Sequence, residues 1–582
     1  MKLARNASRQ SGRAGMAYKW TALSNTTLGV LIATMNATSI LIAMPVIFRG
    51  ININPLDPSN FSFLLWLLMG YTLVSAILVV TAGRLGDMFG RVRVYNFGFA
   101  IFTATAVGLS VVWSQGSAGA LELIGLRMVQ AVGGAMMMAS SAAILTDAFP
   151  SEQLGFAMGI NMIAALAGSF LGILAGGVLS EFSWRWVFII NVPIGLVGTT
   201  WGFWKLREIG IRTRARIDWV GNLAFAAGLT ALLVGITYGI VPYGSSSMGW
   251  GNPFVLGMIA GGIVILAAFA LLETRIKDPM FNLGLFKIRA FTAGNLAGLL
   301  GSIGRGGMQF MLIIWLQGIW LPLHGYDFTQ TPLWAGIYML PLTVGFLVAG
   351  PISGLLSDRY GARPFATGGM VISAMSFALL MLLPTDFSFP VFASIIFLTG
   401  LGMGLFAAPN TAGIMNSVPA RERGAASGMR VTFMNIGMPL SIGIFFTLMI
   451  LGLNSTVPSA MYTGLTANGV PVPIAHQLSQ LPPIGYLFAS FLGYNPLKTL
   501  LGPVLGQLPA ADVAHLTGPS FFPSLISGPF QHGLLFVLSF SIAACLIAAA
   551  ASALRGGRYI HQEAGPIAAG TPQASEPVAA AR

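Results

Sequence analysis

Apolar residues in this chain run in long unbroken stretches. They fall at roughly 21–48, 61–82, 94–113, 119–141, 155–180, 186–204, 219–241, 253–272, 290–321, 334–356, 365–383, 389–412, 430–453 and 531–553. A run of about 20 apolar residues coils into a helix as long as a bilayer's hydrocarbon core is thick. The pattern therefore predicts fourteen membrane-spanning helices. A β-barrel would instead need alternating segments of about ten residues. The expected fold class is all-α integral membrane.

The polar breaks are mostly short. The exceptions are a basic link, "KLREIGIRTRARI" at 205–217, and the segment 454–530, which contains "LPPIGYLFASFLG". The link is expected to lie on anionic lipid headgroups. The second segment is too apolar for a disordered loop, so short helices over the outer face or in the interface are expected, with a lid as one use. The tail "AGPIAAGTPQASEPVAAAR" reads as disordered. The domain order predicted is a basic cytoplasmic tail at 1–20 and a six-helix half at 21–204. The basic link and two extra spans follow at 205–289, then a second six-helix half at 290–553 that includes the external segment 454–530. A disordered cytoplasmic tail at 554–582 completes the order.

Lysine and arginine favour cytoplasmic loops. With the N-terminus inside, only Arg49, Arg185 and Lys498 fall outside, and Arg127 and Arg305 fall within spans. Every other Lys and Arg lies inside, which predicts N-in, C-in topology. The formal charge of +13 is thus arranged by membrane side and does not point to nucleic acid. With one cysteine, Cys545, no internal disulfide can form. The chain carries no G-x-x-x-x-G-K-[ST] loop, which argues against an ATP-driven pump. No nucleophile–base or metal-ligand cluster emerges, so no enzyme activity, cofactor or metal is expected.

The densest polar stretch between two apolar runs is "GRLGDMFGRVRV" at 83–94, and a related one is "SGLLSDRYGARP" at 353–364. Aligning Gly83 with Gly354 sets Asp87 on Asp358 and Gly90 on Gly361, 271 residues apart. A device repeated at matching places in two halves is the sign of an internally duplicated transporter. Its glycines permit a tight turn, its aspartate suits a helix N-terminus, and its arginines suit a carboxylate on another helix. Such a cluster serves as a gating latch or as a plain positively charged turn.

These loops resemble the G-x-L-x-D-R-x-G-R-[RK] motif of the major facilitator superfamily, through Gly83, Leu85, Asp87, Gly90 and Arg91, and in the second copy through Gly354, Asp358, Arg359 and Gly361. "LRMVQAVGGAMM" is similar to the family's R-x-x-Q-G-x-G-x-A motif through Arg127, Gln130 and Gly133. "GGVLSEFSWRWVFIINVPIG" resembles the fourteen-span drug:proton antiporter branch, in which two spans are inserted between six-span halves. The resemblance implies that the loops stabilise an outward-open state, with Asp147 as partner of the cluster around Arg91. It also implies proton coupling, yet two positions depart. Asn36 in "MNATSILIAMP" stands where that branch has an aspartate, and Ile173 in "GILAGG" replaces a proline. Gly172, Gly176 and Gly177 keep the close-packing glycines.

The remaining acids map mostly to loops. Glu122, five residues before Arg127, is either a pair or relay with it or an outer-interface carboxylate. Arg305 in "GSIGRGGMQF" is a substrate or gating contact or a structural ion, with Gln309 and Gln317 following it. Arg430, Asn435 and Asn410 are further cavity candidates. The expected function is an alternating-access secondary transporter in the cell membrane that exports small organic or amphipathic compounds. Expected partners are a small-molecule substrate, membrane lipids and, from the resemblance, protons, with the chain acting as a monomer. Two rival readings are a transporter of lipid or lipid-linked material and a sensor or scaffold that kept the fold without transport.

Overall fold

The computed structural model describes residues 2–556 apart from 55, 211–216, 245, 277–278 and 420–421. Most of the expected 554–582 tail and the middle of the basic link lie outside the described residues. Those described form helices, with one isolated bridge between Tyr243 and Ser246. Fourteen helices are long and apolar enough to cross a membrane. Spans 1 to 6 are Tyr18–Gly50, Phe61–Phe89, Arg91–Ser110, Gly116–Ala148, Ala157–Phe182 and Trp186–Lys205. Spans 7 and 8 are Trp219–Ile240 and Pro253–Glu273. Spans 9 to 14 are Arg289–Leu323, Thr331–Ser357, Ala362–Met381, Phe389–Asn416, Ala425–Ala467 and Phe521–Ala553.

The largest difference from the hydropathy reading is at spans 13 and 14. Helix continues through Pro458 to Ala467, and span 14 begins at Phe521 with Pro529 inside it. Those prolines and the interspersed polar residues broke the apolar runs in the sequence. Neighbouring helices let the backbone tolerate them.

The two halves repeat each other in backbone detail. Gly90 and Gly361 both have positive φ, 111° and 85°, and each donates its N–H to the carbonyl four residues back, on Gly86 and Ser357. Spans 3 and 11 then start at the next residue. Spans 3 and 4 cross where a Cβ on Gly98 would sit 2.8 Å from the Gly133 carbonyl and one on Gly133 2.6 Å from that of Gly98. Spans 11 and 12 cross through Gly369 and Gly402, with corresponding distances of 2.6 and 2.7 Å. Gly83 faces Ala139 and Gly354 faces Ala408. Without a hydrophobic drive in lipid, such close backbone approach is what holds helices together.

Between the halves, span 2 packs on span 13, and span 5 packs on the start of span 10. A Cβ on Gly177 would sit 2.7 Å from the Leu333 Cα, and one on Gly176 2.5 Å from the Ser39 carbonyl. Gly172 likewise abuts the Met35 carbonyl. The glycine motif thus presses span 5 onto span 1 on one face and span 10 on the other, and Ile173, in the proline's place, backs Gly336. Spans 7 and 8 pack mainly on each other, with span 7 against spans 2 and 13.

Short helices cover one end of the bundle. Among them, Pro483–Phe491 is buried at every residue. Phe488 meets Phe48 of span 1 and Phe61 of span 2 edge-on, at 5.8 and 5.6 Å between ring centroids. Phe491 meets Phe310 of span 9 at 5.2 Å, and Ser490 donates to the Gly318 carbonyl at 2.9 Å. This helix touches both halves and sits as a plug between them at that end.

Candidate functional site

A buried polar group sits within the N-terminal half. Arg127 on span 4 is 3% exposed. It donates to the Asn36 side-chain oxygen on span 1 at 2.5 Å and to that of Gln130 at 2.8 Å. Its guanidinium lies over the ring of Tyr71 on span 2, 4.4 Å from the centroid, a cation–π contact that favours a desolvated cation. Arginine only donates, so both amides turn their oxygens to it and their NH2 groups away. The Asn36 Nδ2, Gln130 Nε2 and Arg127 Nε groups are buried with no acceptor among the described residues. The cluster is a buried cation with surplus donors, suited to a ligand or water that offers acceptor oxygens.

The remaining candidates are dispersed. Glu122 is exposed while Arg127 is buried, so the pair or relay between them does not form. Five residues along a helix is about 140° away from the same face, whereas Gln130, three residues on, shares it. Arg305, half-buried on span 9, donates to the Gly301 carbonyl at 2.7 Å and lies 5.8 Å from the Phe406 ring centroid. It belongs to the other half and does not join the Arg127 group. Gln309 lies one turn on and is half-buried. Gln317 donates to the Ile42 carbonyl of span 1 at 3.2 Å, from a five-residue π turn at Leu316–Trp320. Asn410 donates to the Gly294 carbonyl at 3.1 Å and accepts from Arg555. Burial pushes the Arg555 guanidinium down to about 10.

The loop cluster is built around Arg91. Its guanidinium holds Asp87 at 2.9 Å and Asp147 at 2.6 Å, tying spans 2, 3 and 4. The carboxylate of Glu208, in the basic link, accepts from the backbone N–H groups of Arg91, Val92 and Arg93 at 2.8, 3.2 and 3.4 Å. An acid here satisfies donors that a helix start leaves free and meets its positive dipole end. The capping acid is therefore Glu208, not Asp87. The only signal in the sequence is one acid within a basic run. All four residues belong to the N-terminal half and its link, so in this conformation the cluster braces one half. In the second copy Arg359 is exposed, and the side chain of Asp358 lies outside the described residues.

Comparison with known proteins identifies a family and relatives along most of the chain. A sequence model described as Major Facilitator Superfamily matches residues 26–218 and 211–442. The tetracenomycin C resistance and export protein of Streptomyces glaucescens is 29% identical over 433 residues, spanning 74% of this chain and 76% of the relative. The multidrug transporter protein MdtP of Bacillus subtilis is 27% identical over 522 residues, spanning 88% and 89%. Among solved structures, a bacterial homologue of the human lysosomal transporter Spinster aligns with a TM-score of 0.56 at 15% identity, covering 92% of this chain and 97% of that one. The last likeness shows the fold.

Proposed function

The chain belongs to the major facilitator superfamily, and on that footing we propose that it exports small amphipathic organic compounds, by rocking its two halves about a central cleft. The observation that carries this reading is the Asn36–Arg127–Gln130 cluster, in which three buried donors lack acceptors among the described residues. A substrate with an apolar body and an acceptor or anionic group would supply them. The relatives named for resistance and multidrug transport support the outward direction. The finer parts of the proposal are an N-in, C-in orientation, a monomer in contact with membrane lipids, and coupling to protons. The basic loops support the orientation. The chain reads as a transporter and not as an enzyme.

Asn36 carries no titratable proton, so coupling must run through another acid. The apolar plug at Pro483–Phe491 favours a second reading, in which the substrate is a lipid or lipid-linked molecule that leaves sideways into the bilayer. Inside-out membrane vesicles offered anionic, neutral and cationic amphipathic dyes test the choice. Accumulation that stops when the pH gradient is collapsed, and that Arg127→Ala abolishes, is the expected outcome. No dye accumulation, together with flipping of labelled phospholipid in proteoliposomes, would replace it with the lipid reading.

A further inference from the structure

Among the described acidic residues, only Asp218 and Glu273 are buried, at 8% and 3% exposure. They stand at the facing ends of the inserted spans, Asp218 just before span 7 and Glu273 at the end of span 8. One oxygen of each is used: Asp218 Oδ1 accepts from the Gly221 N–H at 2.8 Å, and Glu273 Oε2 from the Phe281 N–H at 2.7 Å. The other two, Asp218 Oδ2 and Glu273 Oε1, accept nothing among the described residues. Both point to one place, since a Cβ on Gly221 would overlap the pair of them.

Two ionised carboxylates facing each other out of water repel strongly, and such a pair holds one proton in common. From span 2, Arg84 is the charged group that faces this pair, and it donates to the Pro279 carbonyl. Thr81 of span 2 bonds Asn222 of span 7. From the lead into span 13, Glu422 accepts from Asn282 at 2.8 Å. Arg275, on the loop after span 8, is exposed. A shared proton is the donor that the two facing oxygens lack.

We propose that Asp218 and Glu273 form a proton-binding site, sharing one proton across Gly221 at neutral pH. The site joins three parts: the end of span 2 that carries the loop motif, the inserted spans, and the connection after span 8, whose Asn282 donates to Glu422 just before the span 13 helix. Loss of the proton sets two charges against each other where the halves meet. The site thus supplies a titratable group in a chain whose first span offers asparagine. It deepens the proton-coupled reading, but the protonation itself does not depend on transport.

Infrared difference spectroscopy on the purified full chain, in an ester-free detergent, tests this without any substrate. A protonated-carboxyl C=O band is expected at pH 7, shifting in D2O, fading on titration to alkaline pH, and absent in Glu273→Gln. The glutamine keeps an oxygen for the Phe281 N–H and can donate to Asp218, so the variant should elute as the wild type does. Asp218→Asn, which keeps the cap on Gly221, should remove the alkaline titration as well. A wild type with no such band at pH 7, or a band and titration unchanged in both variants, would overturn the proposal. Silent vesicles with the band intact would instead count against the transport reading alone.

Discussion

Arg127 of span 4 gives a hydrogen bond to the side-chain oxygen of Asn36 of span 1, at 2.5 Å. The position at which the family's antiporter branch has an aspartate is therefore the position that faces the buried guanidinium. A carboxylate there would neutralise Arg127 and could carry a proton; the amide does neither. Asn36→Asp is expected to fold and to give vesicle transport a pH dependence that the wild type lacks at this site. Asn36→Leu removes the acceptor and leaves a buried cation short of a partner, at about 2 kcal/mol. Thermal unfolding in detergent, read beside monodispersity, distinguishes the two. Equal melting of Asn36→Leu and wild type would remove Asn36 from the cluster.

Glu208 and Gly90 make a second test, because one explains the other. Gly90 has φ 111°, and a Cβ on it would overlap Glu208 Oε2. Gly90→Ala must therefore bear backbone strain of about 1–2 kcal/mol and also displace the cap on span 3. Gly361→Ala has φ 85° with nothing within 4 Å of its Cβ, so it should bear the strain alone. Gly90→Ala is expected to lower the melting temperature more than Gly361→Ala, and the excess should vanish in a Glu208→Ala background. Persistence of the excess in that background would show that the cap is not what the methyl meets.

Glu208→Ala by itself uncaps three backbone donors at the start of span 3. A cap of this kind contributes about 1 kcal/mol. Glu208→Gln keeps both a side-chain acceptor and the shape and should recover most of that loss. Hydrogen exchange localised to residues 91–94 is the direct readout, with faster exchange in the alanine variant. Unchanged exchange there would place the stabilising contact elsewhere.

The long-range architecture was legible because bilayer thickness leaves little freedom. Each apolar run became a span, and the two glycine–aspartate loops sit at matching turns. The side-chain site was less legible, because it depends on which helix face a residue occupies and what crosses it. Glu122 and Arg127 are near in sequence but on different faces, whereas Asn36 and Tyr71 reach Arg127 from separate spans. In the sequence Glu208 is a single acid in a basic link, and Asp218 and Glu273 are single acids at span ends, with nothing to set them apart. Nothing in the one-dimensional pattern says that span 8 returns its last residue to the first turn of span 7. The plug at Pro483–Phe491 was visible as excess apolarity in the segment between the last two spans, but not its wedge between Phe48, Phe61 and Phe310.

That wedge yields the last prediction. If the halves rock to open the cleft at the plugged end, the Pro483–Phe491 helix has to leave its seat or tilt with one half. Ser490 and Gly318 hold it to span 9: the hydroxyl donates to the Gly318 carbonyl at 2.9 Å, and a Cβ on Gly318 would sit 2.7 Å from the Ser490 Oγ. The chain has one native cysteine, buried Cys545, so Cys545→Ala gives a background without thiols. Adding Gly318→Cys and Ser490→Cys places two thiols close enough to bridge. Oxidation is expected to stop dye accumulation in inside-out vesicles, and reduction to restore it, while each single-cysteine variant is unaffected by oxidant. A mass shift confirming the bridge, with transport undiminished, would mean that the plug travels with span 9 as one body. The moving contact would then be the one against spans 1 and 2, where Phe488 meets Phe48 and Phe61.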